Sequence, residues 1–590
     1  MLKQVLSVTG RAWNALNVGH KGSFSAKRLL QLHNFIEHEN QRCRSRWLWT
    51  VVMALWTPIP CLSVALLSET LPLTSPMAGP NANGFFWVRS WLVQGCYTYA
   101  VFLQVLHCIP ILPQRYLVLI PISAMISAAH TAVHFVVAST LGFPVPFSSL
   151  VLDTPWIMFI VAALWTYIGP ACRSSSQVHH QLKKLAIVIY ASSSLAIIYP
   201  LFYYAFLVAK NYSHTQIMLT LLVLPVIKLL EKLLLYRITS HIPDLQPVYI
   251  AFNVEVFNAL FVSSCMRNAT STTVTISLMS VDFVGSSAAL YGLRDLMAQI
   301  DKMNAKMGSL VKREQMLEIA AMILLNRPSE KVEVHQGTGG PNRDITRDLV
   351  SRQIKHQFTA SITPLHAVTS STENQRTNIG KDVFKTIDLT ALPTLPSKSP
   401  LKKSIASNNE VISFAPSTLI STGPTMTTRH YKTPSIEIIN RLSSKEQQLF
   451  VLEASRVLRR VETLMIIEYT EVIVPVLYCT AIYIAAVYYL PNRIYFSYLR
   501  DLSEAELASA VQSVLVYGTL QMLSFVLLIF ALDRHFQLFP SIQLQFALSS
   551  EGKLVQSLLI LWVMYVLQTS LDHVGTDYTF KFEWLRAHNP

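Results

Sequence analysis

The sequence predicts an all-α fold: a polytopic α-helical membrane bundle of about eleven spans, with cytoplasmic helices and a disordered insert. Three observations predict it. Of 590 residues, 51% are apolar and only 14% charged, well below the roughly 25% charged residues of soluble domains. The apolar residues gather in blocks of about 20, the length that crosses a hydrocarbon core of ~30 Å. The net charge of +14 is concentrated in two stretches that flank a group of these blocks. This composition excludes a single water-soluble domain and a collagen; 7 Cys in so long a chain also exclude a disulfide scaffold.

Residues 1–46 carry 8 Lys/Arg against 2 Asp/Glu. They read as a cytoplasmic basic N-terminal segment, because segments kept inside are enriched in Lys and Arg. The stretch is too long for the n-region of a signal peptide, so the first apolar block is expected to remain as an anchor. Residues 47–292 read as a bundle of eight spans: 47–67, 91–112, 116–141, 154–172, 185–208, 216–236, 247–266 and 272–291. Lys228, Glu231 and Lys232 interrupt the sixth. Parity requires that span nonetheless, because residues 294–460 hold 24 Lys/Arg against 15 Asp/Glu and should return to the cytoplasmic side. Its lysines are then expected near the inner end, where long stems snorkel. Pro58, Pro60, Pro121, Pro200, Pro225 and Pro475 read as kinks whose freed carbonyls are satisfied by neighbouring helices.

Residues 293–326 read as a cytoplasmic heptad helix with Leu293, Leu296, Ile300, Met303, Met307, Leu310, Leu317, Ala321 and Leu324 along its seam and Glu314 breaking it. The seam is expected to pair either with the next cytoplasmic helix or with a second copy, a homo-oligomer through 293–324. Residues 327–440 form a basic insert rich in Ser, Thr and Pro, too poor in apolar residues to offset its ordering entropy, and expected to be disordered. Thr363, Ser399 and Thr433 each precede a proline there and resemble proline-directed phosphorylation sites. Phosphate at these positions would loosen contact with anionic lipid head groups. Residues 441–465 read as a second cytoplasmic helix, opened by the capping box Ser443-x-x-Glu446. Residues 466–571 hold three spans (472–490, 509–532 and 554–571), and 572–590 form an extracytoplasmic tail. The lipid bilayer is the expected partner, with the N terminus cytoplasmic and the choice between plasma membrane and endomembrane open. Nucleic acid is not expected, since the basic residues alternate with acids and lack aromatic neighbours.

The chemistry-bearing candidates lie inside the apolar blocks. Glu255 and Asp282 sit at equal distance from the midpoint of the hairpin formed by spans seven and eight, and so at matched depth. Each costs about 2.5–3.5 kcal/mol on insertion scales. Asn258 follows Glu255 at i+3, while Thr275 and Ser286 flank Asp282 at i−7 and i+4. Two close carboxyls suit proton or cation coupling; the alternative is a protonated carboxyl acting as packing glue. Glu468 and Glu471, at i, i+3, read either as a solvated helix entrance or as a cation vestibule. His130 and His134 share a face with no third ligand nearby, so no metal is assigned. No P-loop, Rossmann fingerprint or nucleophile elbow is present, and neither a cofactor nor an enzymatic activity is expected.

The stretch VEVFNALFVSSCM, the later SLMSVDF and the long polar segment before the last spans resemble an expanded group of multi-pass membrane proteins of oomycetes. That resemblance covers mainly residues 240–300. The group has no established activity, so it implies a layout and no residue role. Two functions remain open from the residues: a secondary transporter or channel coupled at mid-membrane carboxylates, or a membrane receptor, sensor or scaffold signalling through the phosphorylatable segment. The first is preferred, because a pure anchor needs neither so many spans nor acids at their centre.

Overall fold

Apolar runs of this length hold their backbone groups in helical hydrogen bonds because lipid offers none. In the computed structural model each predicted block lies largely on helix among the described residues. The structure describes residues 22–42, 46–210, 214–268, 272–308, 312–326, 436–488, 490–497, 499–500, 502–577, 582 and 584. Thr363, Ser399 and Thr433, with the insert as far as residue 435, lie outside these.

The principal helices are α1 (Ala26–Arg42), α2 (Arg46–Trp56), α3 (Ile59–Glu69), α4 (Gly84–Cys108), α5 (Tyr116–Leu141), α6 (Asp153–Tyr167), α7 (Ser176–Ser193), α8 (Leu195–Lys210) and α9 (His214–Ile238). They continue with α10 (Gln246–Ile250), which a π-helical turn, Ala251–Glu255, joins to α11 (Val256–Asn268). Then follow α12 (Thr272–Met307), α13 (Met316–Leu325), α14 (Ser444–Tyr488), α15 (Glu504–Phe536), α16 (Pro540–Ser550) and α17 (Gly552–Thr569). Among the described residues no strand forms beyond the single bridge Phe496–Leu571. Among the described residues, seven helical stretches are long and apolar enough to cross a membrane: Leu48–Glu69, Tyr116–Leu141, Ser148–Tyr167, Ser176–Phe202, Ser444–Tyr483, Glu504–Phe536 and Gly552–Thr569. The fold is thus all-helical and fits a multi-pass membrane protein. Its apolar outer surface agrees, with Leu117, Met125, Met158 and Phe530 all exposed.

Helix α14 is the central column. Its 45 residues rise about 68 Å at 1.5 Å each, roughly twice the hydrocarbon thickness. α15, α12, α11, α16 and α13 all pack on it. The capping box forms as expected: the Ser443 hydroxyl accepts from the Glu446 amide at 3.4 Å, and the Glu446 carboxylate accepts from the Ser443 amide at 3.0 Å. From that cap the predicted cytoplasmic helix and the following span run as one helix. The heptad seam differs from expectation. Leu293, Leu296, Ile300, Met303 and Met307 are buried, as are Leu317 and Ala321, but two helices share the seam. The chain turns at Gly308 (φ +130°), a conformation that disfavours a side chain. Arg441 then donates to the Met307 carbonyl at 2.8 Å, satisfying the end of α12. Leu310 lies outside the described residues. The buried seam faces α14 of the same chain.

Prolines act as the sequence implies. Pro200 removes the helical donor for the Ala196 carbonyl, and the Tyr565 hydroxyl donates to that oxygen at 2.9 Å. Pro58 divides the first span, and Gln556 of α17 donates to the Thr57 carbonyl at the break.

Candidate functional site

Glu255 closes the π-helical turn between α10 and α11 and is wholly buried, with 0% exposure. A π-turn arises where one extra residue is carried in a helix, and such turns cluster at functional sites. This one is pinned by Asn253, whose amide donates to the Tyr249 carbonyl at 2.6 Å and accepts from the Trp562 indole at 2.9 Å. Glu255 meets two lysines from α9. Lys228 Nζ lies 2.8 Å from its Oε2, and Lys232 Nζ pairs with its Oε1. Lys228 simultaneously donates to Glu471 of α14 at 2.8 Å. One ammonium therefore joins carboxylates from two different helices.

The surroundings extend this set. The Ser286 hydroxyl of α12 donates to Glu468, one turn before Glu471, and Ser524 of α15 donates to the same carboxylate at 3.3 Å. Glu231, also buried, is held by a hydrogen bond from Ser194. Tyr199 of α8 is wholly buried, stacks on Phe257 and lies within electrostatic reach of Glu255, Lys228 and Glu231. Its hydroxyl has no hydrogen-bond partner among the described residues. Pro475 removes the amide that would bond the Glu471 carbonyl, loosening the α14 ladder beside the carboxylates.

Glu468 and Glu471 are therefore not at a solvated helix entrance. They are 2% and 3% exposed, because α14 begins nearly eight turns before the predicted span and the bundle packs around this stretch. Lys228 and Lys232 do not snorkel; carboxylates within the bundle hold them. Asn258 is buried one turn after Glu255. Asp282 and Thr275 lie on α12, but their side chains are outside the described residues, so the expected facing of Asp282 and Glu255 lies outside them too. The sequence contained the missed signal. Charges at 228, 231 and 232 stand at i, i+3, i+4, one helical face, within an otherwise apolar run.

Two further ionic sets lock other parts of the bundle. Arg89 forks onto Glu69 at 2.6 and 3.0 Å and also donates to the Ser68 carbonyl and Gln568. Arg28 of α1 bridges Glu462, at 3.1 Å, and Glu551, beneath the Phe546 ring; His107 contacts Glu551 at 2.5 Å. Burial opposes charge at Arg28, but its two carboxylates outweigh this and hold the guanidinium above its ordinary value. Burial likewise pushes Glu551 up, and His107 and Arg28 bring it below the usual carboxylate range.

His130 and His134 are buried on α5, with ring centroids 6.4 Å apart. Among the described residues no group of three or more His, Cys, Asp or Glu side chains is placed to hold a metal ion. No family model, curated protein or solved structure matches the chain.

Proposed function

We propose that this chain is a secondary transporter or channel, spanning the membrane eleven times with its N terminus cytoplasmic. In it, movement of a proton or cation is coupled through Glu255, Glu468 and Glu471. One observation carries the reading: Glu255 is sealed on a π-turn between two lysines, one of which it shares with Glu471. Burying such a set is costly, and replacing buried ion pairs by apolar side chains is often neutral or stabilising. A structural lock holds each charge with one fixed partner, whereas here Lys228 is shared between two carboxylates. A protein that passes charge through its interior requires them. Asp282 precedes Ser286 by one turn on α12, and the proposal includes it in the coupling set.

The test is reconstitution in liposomes with an imposed pH or potential gradient, comparing wild type with Glu255→Gln and Asp282→Asn. Glu255→Gln should lower gradient-driven flux at least tenfold while the protein stays monodisperse. Flux unchanged in both variants overturns the assignment, as does a wild type inert toward protons and every monovalent cation tried.

A further inference from the structure

Lys228 is the side chain through which the site reports what it binds. Its ammonium lies 2.8 Å from Glu255 and 2.8 Å from Glu471, so a single monovalent cation bridges two buried carboxylates from separate helices. We infer that Lys228 is a resident surrogate for the substrate, and that the substrate is a monovalent cation of ammonium size: a potassium-like ion or the head of a primary amine. This rests on the transport reading above and narrows its substrate class.

Lysine carries a compact charge on a flexible four-carbon stem, whereas arginine presents a rigid fork. Lys228 can therefore withdraw along its own stem without moving α9. Its departure leaves Glu255 still paired with Lys232. The oxygens then open to an incoming ion are hard carboxylate donors, which suit an alkali or ammonium ion rather than a soft metal. Each Glu255 oxygen is taken up by one lysine ammonium, so the departure of Lys228 frees one of the two. The buried Tyr199 hydroxyl, without a hydrogen-bond partner of its own among the described residues, lies within electrostatic reach of Glu255 and Lys228. A divalent ion would meet Lys232 with one positive charge too many.

Charge conservation gives the consequence. Exchanging Lys228 for a monovalent ion leaves the buried charge unchanged, so the loaded and empty carriers bury equal charge and both can reorient. Without Lys228 only the loaded form is compensated. The variant should exchange cation for cation yet fail to return empty.

Proteoliposomes of the full chain are loaded with rubidium or methylammonium tracer. Efflux into medium lacking both ions is then compared with exchange at equal concentrations on the two sides. Wild type should perform both. In Lys228→Met exchange should persist while net efflux falls at least about 100-fold, the lower end of what stranding a buried charge costs. A preference for one tracer identifies the inorganic or the amine source. Equal loss of exchange and net efflux in Lys228→Met, or loss of neither, overturns the inference and leaves the transport reading standing. A wild type inert in both modes removes both. A second measurement avoids the variant altogether: in wild type, either tracer ion should raise acylation of Lys228 by a membrane-permeant reagent severalfold over choline, read by mass spectrometry. Equal labelling in the two overturns the displacement.

Discussion

Arg89 with Glu69 is a buried ion pair between helices and Lys228 with Glu255 a partly buried one, and they are built differently. Arg89 is 1% exposed, and its fork meets a single carboxylate through two parallel bonds, with Gln568 and the Ser68 carbonyl taking further donors. Such bidentate, charge-assisted pairing is specific in geometry as well as strong. Around Glu255 the cations are two flexible lysines, one of them shared, and the backbone beneath is a π-turn rather than regular helix. The first set is a lock with one arrangement. In the second, Lys228 is shared by two carboxylates and Glu255 by two lysines. Burial alone does not distinguish a structural charge from a working one; the redundancy of its partners does.

The sharpest way to break this comparison is to remove one acid from each set. Glu69→Gln should strand Arg89 and cost about 3–5 kcal/mol, seen as a large drop in thermal unfolding temperature in detergent. Glu255→Gln should cost less, since Lys228 keeps Glu471 and the cation left without its carboxylate, Lys232, is partly exposed. Equal losses would erase the distinction. A smaller effect concerns the Arg89 end of the bundle. His573 is wholly buried against Phe86 and Phe143, and its Nε2 faces the Thr74 carbonyl at 2.7 Å. Burial pushes it down to about 4 from an ordinary 6.5, with Arg89 adding to the shift. The unfolded chain takes up this proton first, so stability is full above pH 6.5 and declines as pH falls toward 4. The loss is on the order of 2–3 kcal/mol. Unfolding temperatures of His573→Gln should fall less over that window, and parallel curves would refute the account. Smallest is Trp562→Phe, which leaves the Asn253 oxygen of the π-turn without its indole donor at a cost of about 1–2 kcal/mol. It should alter flux more than stability. The reverse ordering would mean that the π-turn is only structural.

Much of this was readable from residue patterns. All eleven apolar blocks lie largely on helix among the described residues, Ser443 and Glu446 form their cap, and the seam from Leu293 to Met307 is buried. Glu255 stood out as an acid in an apolar run. Its partners did not, because matching depth along a hairpin ignores which helices lie side by side. Lys228 and Glu255 come together through the packing of α9 on the π-turn, a tertiary fact with no periodic signature. The break at Gly308 was equally hidden, since an isolated glycine within a helical pattern is tolerated until the chain needs a positive φ. Glu468 and Glu471 were placed at an edge because the preceding residues are amphipathic. Those residues turn their apolar face to α12 and α13.

From Ser443 to Glu471 the α14 backbone runs without proline or glycine. A twist applied at Ser443 is therefore conveyed along stiff, bonded turns to Glu471, and only at Pro475 does the shaft gain a joint. The charges sit on the driven side of that joint. Whatever grips the far end of this shaft holds a handle on the acids within.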